Sequence, residues 1–466
     1  MIESIKSITE IPDLRRRILF TLAMLAVYRL GALIPTPGIN AEAFEQLFNQ
    51  SLGAGVLGLL SMFSGGSLKR MSVFALGIMP YITASIILQL LGVVSPTLEK
   101  LKKEGELGRR KITEYTRWLT VGLSAFQAFG VAAALQRQGS QLVTHPGLGF
   151  VLATVLTLTT GSVFIMWLGE QITSRGIGNG MSLLIFTGIV VGLPRAVGDL
   201  YEKVFVTRVW SVLVLLLLLV FMMSIVAFIV FVERGERRVP IQYAKRIVGR
   251  KVMGGVSTHL PLKVNSGGVM PIIFAVSILT FPQTVGLFLT KTSIPGRIIA
   301  KFVSLFAWGE PLYTFSYVLL IMFFAHFYLS IVYNPDEVAD NVRKQGGFIP
   351  GIRPGKRTAD HLDDVLTKIT WVGGLYLALI ALIPEIMLAG LRLNHLPGWL
   401  GAAWFDAHLP QWLLHGLNVN FYFGGTSLLI VVGVAMDTVQ QVEAQLIMRH
   451  YEGFLKKGRV RGRRSY

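Results

Sequence analysis

Apolar residues along this chain collect in ten long blocks, which polar stretches separate. Most blocks approach the roughly 20 residues that an α-helix needs to cross a lipid bilayer. They lie at about residues 18–36, 72–93, 116–137, 148–170, 180–198, 209–232, 266–290, 312–333, 367–391 and 421–437. The pattern predicts an all-α integral membrane protein with ten transmembrane helices.

The composition is that of a membrane protein rather than a soluble one. Of the 466 residues, 52% are hydrophobic and 15% are charged, and the mean hydropathy is +0.58. Soluble domains usually carry about 25% charged residues. The absence of cysteine excludes disulfides, thiolate catalysis and cysteine metal sites. The sequence holds no nucleophile–base pair and no cofactor motif, so we expect neither an enzyme nor a bound cofactor.

Positive charge alternates in density between successive loops. Cytoplasmic loops of membrane proteins carry the excess of Lys and Arg. With the N-terminus inside, the inner segments hold 32 of the 44 Lys and Arg residues and the outer segments hold 10. The inner segments are 1–17, 94–115, 171–179, 233–265, 335–368 and 438–466. Both termini are therefore predicted to be cytoplasmic.

Two short sequences of the first half return in the same order in the second half. They are Gly77–Ile82 (GIMPYI) with Gly268–Ile273 (GVMPII), and Gly180–Ile185 (GMSLLI) with Gly425–Ile430 (GTSLLI). Residues 1–200 and 201–466 each contain five predicted spans. Because five is an odd number, the second half begins on the opposite side of the membrane from the first and has the inverted orientation. The pattern indicates an inverted repeat, which is typical of proteins that move a substrate across the membrane.

Residues 53–66, between the first two blocks, are apolar, rich in glycine and too short to cross a bilayer. Backbone of this kind persists at membrane depth only where protein or a water-filled cavity covers it. One interpretation is an interfacial loop or a re-entrant turn. The other is a movable plug inside a funnel, with glycines at both ends that let it swing.

An apolar stripe begins in each of the first pair of repeated sequences. Its residues recur at four-residue spacing, which places them on one face of a helix. The stripes are Ile78, Ile82 and Ile86 in the first half, and Val269, Ile273 and Ser277 in the second. Such stripes commonly face lipid or a neighbouring helix.

A proline lies near the start of each stripe, at Pro80 and Pro271. Within a helix, proline frees a backbone carbonyl one turn earlier, and that carbonyl needs a protein or water partner. We therefore expect the two stripes to approach each other in the interior of the protein. Ser277 in the second stripe corresponds to Ile86 in the first. If a passage runs between the two stripes, the wall formed by the second stripe should therefore be more polar.

Few polar residues lie inside the predicted spans. Thr83, Gln127 and Asn265 could hydrogen-bond across a helix seam, where such bonds contribute only ~0.6–2 kcal/mol. The acidic residues closest to the spans fall at their ends, where we expect lipid headgroups to solvate them: Glu170, Glu385 and Asp437. Proton- or sodium-coupled transporters normally hold carboxylates near the midplane, so the sequence argues against that class.

Three inner segments are long and basic: residues 233–265, 335–366 and the tail at 438–466. Positive-inside topology and attraction to anionic lipids explain part of this charge. The functional interpretation is a docking surface for a cytosolic partner that bears RNA or acidic groups.

Five motifs make the chain similar to a known family. They are Leu76–Ile82 (LGIMPYI), Arg175–Gly180 (RGIGNG), Ser257–Lys263 (STHLPLK), Gly347–Gly355 (GFIPGIRPG) and Tyr422–Ser427 (YFGGTS). In this order they resemble the bacterial SecY family, the channel subunits of the Sec protein translocase. Residues 393–420 depart from the family pattern. We interpret this extra outer-face segment, which contains three tryptophans, as amphipathic and resting in the outer leaflet.

The resemblance implies two five-helix halves that form a clamshell around an hourglass pore. Secretory polypeptides would cross through the pore, and signal sequences and transmembrane segments would leave into lipid through a lateral gate. The apolar pore ring would consist of Ile78, Ile82, Ile86, Ile185, Ile273 and Ile430. The plug would consist of Gly55, Val56, Leu57, Gly58, Leu59, Leu60, Ser61, Met62, Phe63, Ser64, Gly65 and Gly66.

The same resemblance implies two further sites. Thr83, Gln127 and Asn265 would form the polar cluster of the lateral gate. Docking of the SecA motor or the ribosome would involve Arg246, Arg250, Lys251 and Arg353.

The resemblance also implies partners and a location. The partners would be SecE and SecG in a heterotrimer, the SecA ATPase, the ribosome with its rRNA, signal sequences, nascent or secretory polypeptides and anionic lipids, with YidC and SecDF as further candidates. The location would be the bacterial plasma (inner) membrane. Two alternatives stay open: a secondary transporter with inverted repeats, and a scaffold or insertase without a pore.

Overall fold

The computed structural model of the chain describes most of its length. The described residues are 11–48, 58, 61, 64–137, 142–208, 210–243, 246–248, 251–253, 257–286, 306, 309–388, 390–392, 408, 410, 414 and 425–457. The helices within these ranges are α1 (Pro12–Gly31), α2 (Ala41–Leu47), α3 (Met79–Val94), α4 (Pro96–Lys103), α5 (Glu106–Arg137), α6 (Leu148–Arg175), α7 (Gly180–Tyr201, followed by a π-helical turn Glu202–Val206), α8 (Val212–Glu233), α9 (Met270–Gly286), α10 (Pro311–Val332), α11 (Pro335–Lys344), α12 (Lys356–Leu388) and α13 (Gly425–Lys457). The strands are β1 (Glu236–Tyr243), β2 (Arg246–Val248), β3 (Lys251–Met253), β4 (Ser257–Lys263) and β5 (Gly347–Phe348).

Seven helices in the described part of the chain are long and apolar enough to cross a membrane. They are α5, α6, α7, α8, α10, α12 and α13. An eighth span results if α3 and α4, which are bent by 103° at the break between them, are counted as one. The fold is therefore helical and polytopic. Each of the ten predicted blocks overlaps a helix, but the total of ten spans stays a prediction.

The first pair of repeated sequences marks the starts of two helices. α3 begins at Met79 and α9 at Met270, later than the predicted positions 72 and 266. In each case a glycine with left-handed backbone comes two residues before the helix, Gly77 with φ 58° and Gly268 with φ 56°. The two repeated sequences therefore also share the same backbone conformation just before their helices.

The position of these helix starts overturns our interpretation of the prolines. Pro80 and Pro271 are each the second residue of their helix. The first backbone N–H groups of a helix have no intrahelical acceptor, so proline in the first turn sacrifices no bond. The expectation that each proline frees a carbonyl inside a span is wrong. The prolines instead help to set where α3 and α9 begin.

The second repeated sequence also marks helix starts, because α7 begins at Gly180 and α13 at Gly425. Contacts between residues divide the chain into two compact units, one of residues 1–192 with 433–466 and one of residues 193–432.

In the first unit, α5 packs against α3, α4 and α6, and α1 packs against α6. The buried face of α5 consists of small residues at four-residue spacing, which let neighbouring helices approach closely. These residues are Thr116, Thr120, Ser124, Ala128 and Ala132. Their three hydroxyls donate to backbone carbonyls of α5 itself, so no buried donor on this face is left without an acceptor.

In the second unit, α10 packs against α9 and α12, and α11 packs against α12. The basic segments at 233–265 and 335–366 come together as a small sheet with strand order β4–β1–β5. β1 pairs with β4 antiparallel from Glu236 with Lys263 to Gln242 with Ser257. The sheet covers a core of its own, formed by Val239, Leu262, Ile349, Leu362 and Leu366. The sequence pattern did not predict this sheet.

Candidate pore constriction and gate

All six isoleucines of the predicted pore ring are buried, and none is more than 8% exposed. Ile78, Ile82, Ile86 and Ile185 belong to the first unit, and Ile273 and Ile430 belong to the second. Each half of the chain thus supplies buried aliphatic side chains near the starts of two helices. Convergence of the six on one constriction stays a prediction.

The stripe on α3 starts just before the helix. Ile78 is the N-cap residue of α3, and its carbonyl accepts the backbone N–H of Ile82 at 3.1 Å. The equivalent bond at α9 joins the Ile273 N–H to the Val269 carbonyl at 3.3 Å. The hydroxyl of Ser277, which is buried, donates to the Ile273 carbonyl at 2.7 Å. Because its proton is used within α9, Ser277 contributes less polarity than a free hydroxyl would.

The predicted plug is described at its C-terminal end. Gly58, Ser61, Ser64, Gly65 and Gly66 lie within the described residues, and the other seven plug positions lie outside them. The Gly66 N–H donates to the Ser61 carbonyl at 2.7 Å, and the Ser64 hydroxyl donates to the same carbonyl at 3.1 Å. Ser61 and Ser64 are buried. The Ser61 carbonyl therefore accepts hydrogen bonds from both Ser64 and Gly66 in the interior of the first unit.

The three predicted gate residues have separate surroundings. The Thr83 hydroxyl donates to the Met79 carbonyl of its own helix at 3.0 Å. Gln127 is half-buried on α5, which packs against α3. Asn265 is buried in the second unit, where its amide nitrogen donates to the Glu233 carboxylate at 2.7 Å and to the Gly268 carbonyl at 3.1 Å.

Glu233 is a residue of this site that we did not predict. It is the last residue of α8, and its bond to Asn265 ties the end of that helix to the turn that precedes α9. The signal was present in the sequence, since Glu233 is an acid directly after a long apolar run and before a basic segment. A carboxylate in that position needs a donor when the ends of two spans pack together.

One of the three acids that we placed at span ends is not solvated there. Glu385 is only 2% exposed, and its carboxylate accepts hydrogen bonds from the Thr314 hydroxyl of α10 and the backbone of Gly309. The expectation of headgroup solvation is wrong for Glu385, because α12 continues past it to Leu388 while α10 packs alongside.

The other two acids are accessible. Glu170 on α6 forms a two-point ion pair with Arg117 on α5, with N–O distances of 2.9 and 2.8 Å. This pair links α5 and α6, which pack against each other. Asp437 is exposed on α13.

Three of the four predicted docking residues lie within the described part of the chain. Arg353 is exposed in the turn between β5 and α12, and its carbonyl accepts the Thr358 hydroxyl at 3.0 Å. Arg246 begins β2 and Lys251 begins β3, two strands that pair antiparallel. Arg250 lies outside the described residues. Of the outer segment 393–420, the structure describes His408, Pro410 and the buried Leu414, whose carbonyl accepts the Arg392 N–H at 3.1 Å.

These features define a class: a polytopic helical membrane protein with buried aliphatic residues at paired helix starts and a folded, basic domain between its spans. The family model described as SecY matches residues 72–439. The chain belongs to the SecY family.

Curated relatives match almost the whole chain. It is 48% identical to the protein translocase subunit SecY of Escherichia coli K12, over 97% of this chain and 96% of the relative. It is 47% identical to the subunits of the same name from Vibrio cholerae, over 97% and 96%, and Streptomyces griseus, over 96% and 98%.

Solved structures share the fold at low sequence identity. A structure described as a protein conducting channel matches with TM-score 0.58 and 16% identity, over 96% of this chain and 95% of the other. A structure concerned with the plug domain of SecY matches with TM-score 0.60 and 17% identity, over the same shares. Sec61 in a canine ribosome–channel complex matches with TM-score 0.53 and 15% identity, also over 96% and 95%.

Proposed function

We propose that this chain is the channel subunit of a bacterial protein translocase. It passes unfolded secretory polypeptides across the membrane and releases signal sequences and transmembrane segments sideways into lipid. The observation that carries the proposal is 48% identity over 97% of the chain with a protein translocase subunit SecY. The alternative of an ion-coupled secondary transporter is not favoured, because the reported relatives are all named as translocase subunits.

In the proposed channel, ten spans form two inverted halves, residues 1–200 and 201–466, which enclose an hourglass pore. The ring consists of the six buried isoleucines. An aliphatic constriction excludes water and ions when empty and offers no strong, sequence-specific bonds to a passing polypeptide. A polar ring would hydrate, conduct ions and bind the backbone in transit. Burial of all six residues supports the assignment.

The proposed lateral gate lies between α3 and α5 on one side and α9 and α10 on the other. Its polar cluster is Thr83, Gln127 and Asn265. Hydrogen bonds between membrane helices are weak enough to exchange for contacts with an arriving signal sequence. Apolar side chains then leave through the seam because lipid solvates them better than the aqueous pore does.

The basic segments dock the partners that supply energy, because the sequence has no nucleotide-binding motif. Since β5 pairs with β1, the two long segments present one folded surface. We assign SecA or ribosome docking to Arg246, Arg250, Lys251 and Arg353. Ribosome docking is supported by structural relatives whose descriptions place Sec61 and yeast Ssh1 in ribosome complexes.

The remaining partners follow from family membership. They are SecE and SecG in a heterotrimer, signal sequences and nascent chains, anionic lipids, YidC and SecDF. The protein resides in the bacterial inner membrane with both termini in the cytoplasm.

Deletion of the proposed plug, residues 55–66, tests this function. The complex containing the shortened chain, reconstituted into a planar bilayer, should conduct ions at rest, because nothing would then fill the funnel outside the ring. Deletion of the same number of residues from the outer segment, 401–412, is the matched control and should leave the resting conductance unchanged. A plug deletion that conducts no more than the full-length chain would contradict a plugged pore.

A further inference from the structure

Glu233 is an acid in an unfavourable position. It is the last residue of α8, where the free carbonyls of the final turn form the negative end of the helix dipole and repel a carboxylate. The amide nitrogen of Asn265 compensates by donating to this carboxylate at 2.7 Å in a partly buried bond. Hydrogen bonds to an ionised acceptor are stronger than those between neutral groups. The contact between Glu233 and Asn265 is therefore a strong restraint at a place where helix stability alone disfavours an acid.

This bond closes the base of a folded arm, which we define as residues 234–264. The arm leads from the end of α8 to the turn before α9 and includes β1 to β4. Beside the bond, the Val264 N–H donates to the Gly235 carbonyl at 2.9 Å. The outgoing and returning chains are thus joined at the base twice, once through their backbones and once through side chains.

The base of the arm packs directly on the backbone of α12. A Cβ on Gly373 of α12 would lie 2.5 Å from the Val264 carbonyl oxygen and 3.7 Å from the Asn265 Cα. A Cβ on Gly235 would lie 3.2 Å from the Val264 Cγ2. Glycine at both positions allows this close approach. The base therefore has a fixed support in the second unit.

Asn265 passes this restraint on to α9. Its amide nitrogen also donates to the Gly268 carbonyl at 3.1 Å, and its own carbonyl accepts the Gly268 N–H at 3.4 Å. Gly268 has left-handed backbone, and α9 begins two residues later at Met270. The direction in which α9 starts thus depends on a turn that Asn265 braces, while Glu233 holds Asn265.

We propose that Glu233 is a positioning residue of the pore. Through Asn265 it sets the start of α9 and, about one turn further along, the ring residue Ile273. Glu233 acts through Asn265 and not on the polypeptide itself. The amide nitrogen of Asn265, which has two protons, already has two acceptors in its own half of the chain. This inference rests on the proposed function, in which Ile273 belongs to the ring.

Hydrogen exchange at the start of α9 tests the positioning without reference to transport. The full complex in lipid nanodiscs is placed in deuterated buffer, and mass spectrometry follows the amides of residues 264–273. Glu233→Leu should speed their exchange by about tenfold or more, because a bond to a charged acceptor is lost. Glu233→Gln should have a smaller effect, because its amide oxygen still accepts. Glu236→Leu, at an exposed acid of β1, is the matched control and should change nothing.

A reversal of donor and acceptor separates this bond from the general stability of the arm. Asn265→Asp should speed exchange at least as much as Glu233→Leu, because two carboxylates then face each other. Adding Glu233→Gln to Asn265→Asp should undo most of that effect, because the glutamine amide can donate to the new carboxylate. If the second change does not slow exchange, the two side chains are not coupled and the proposal is wrong.

Conductance and ribosome binding connect the bond to the pore. Glu233→Leu should raise the resting conductance of the reconstituted complex by about threefold or more, because a displaced Ile273 leaves the ring open to water. Ribosome co-sedimentation should be unchanged, because the docking residues Arg246 and Lys251 follow β1, away from the base. Loss of ribosome binding by Glu233→Leu would mean that the arm unfolds, and would overturn a positioning role.

The ring variant Ile82→Asn distinguishes failure of this proposal from failure of the proposed function. If Ile82→Asn raises conductance and Glu233→Leu does not, the pore stands and the positioning role is wrong. If neither variant raises conductance, the ring assignment is wrong and the positioning of Ile273 falls with it, whatever the exchange rates show. Should Glu233→Leu fail to assemble, Glu233→Gln and the reversed pair decide by the same criteria.

Discussion

At the scale of residues, the proposed constriction depends on side chains that are both buried and aliphatic. Ile82 is 7% exposed on α3, whereas Leu91 on the same helix is 45% exposed. Both are apolar residues of the same helix, but Ile82 is buried and Leu91 is exposed. They therefore allow the effect of polarity at the ring to be separated from the effect of polarity on the helix.

Ile82→Asn should raise the resting ion conductance of the reconstituted complex by about tenfold or more, since an amide in the ring stabilises water there. Leu91→Asn should leave the resting conductance at the level of the unmodified chain. Single-channel recording in planar bilayers measures both. Equal conductance of the two variants would argue against Ile82 as a ring residue.

Glu385 illustrates a residue whose surroundings the sequence could not reveal. Thr314→Val removes the hydroxyl that donates to its buried carboxylate, and a buried acceptor that loses its donor costs about 1–3 kcal/mol. The free energy of unfolding, measured by SDS titration of the detergent-solubilised complex, should fall by that amount.

Thr157→Val is the matched control for this prediction. Thr157 is half-buried, and its hydroxyl donates to the Ala153 carbonyl of its own helix in a solvent-accessible hydrogen bond, so the change should be within about 0.5 kcal/mol. Equal destabilisation by the two threonine variants would show that the Glu385 contact contributes nothing specific.

At the scale of elements, Gly77 and Gly268 give α3 and α9 the same start. The φ angle is 58° at Gly77 and 56° at Gly268. A residue with a Cβ in this conformation costs about 1–2 kcal/mol. Gly77 has an additional constraint, because its Cβ would lie 3.2 Å from the Ser64 Cβ, while a Cβ on Gly268 would meet nothing within 4 Å.

Gly77→Ala should therefore lower the free energy of unfolding more than Gly268→Ala, and both should lower it by at least about 1 kcal/mol. Gly92→Ala is the matched control, because Gly92 lies within α3 and has nothing within 4 Å of its added Cβ. That change should be neutral or stabilising, since alanine is the better helix former. The reverse order would mean that the backbone conformation does not limit these positions.

Elements that depend on local pattern could be predicted, and those that depend on distant partners could not. A run such as Val212–Glu233 is apolar enough to indicate a span without further information. The boundaries at Met79 and Met270 were missed because the apolar pattern continues through the turns that precede them. The sheet was missed because β5 pairs with β1 across more than 100 residues, and two-residue strands carry no periodicity.

The residues of the candidate site likewise fall into those that the sequence predicted and those that only the structure revealed. The repeats and the family motifs indicated the ring, plug and gate positions, although their convergence stays a prediction. Glu233 beside Asn265, and Arg29 beside Gly65, are contacts between residues that are distant in sequence. A single sequence does not reveal which polar groups satisfy one another once helices pack, so these contacts required the structure.

At the scale of the whole molecule, the second unit joins apolar helices to the folded, basic surface that we propose as the docking site. Arg353 is exposed there, between the short strand β5 and the long helix α12. Positive charge on such a surface favours binding of an acidic partner, and negative charge there opposes it.

Arg353→Glu should weaken co-sedimentation of ribosomes with the solubilised complex by about tenfold or more, because it places like charges together. Arg208→Glu, an exposed position in a predicted outer loop, is the matched control and should bind ribosomes normally. If both variants bind as the unmodified chain does, Arg353 does not contribute to docking.

The central claim is that one polypeptide path runs past isoleucines from both halves of the chain. Photo-crosslinking amino acids at Ile82, Ile185, Ile273 and Ile430 test it in a complex arrested with a secretory chain. Probes at Leu156 and Leu217, which are 69% and 60% exposed, are the controls. We predict crosslinks to the arrested chain from all four ring positions and to lipid alone from the controls. Absence of crosslinks from the four positions, with the chain demonstrably arrested in the complex, would contradict the account.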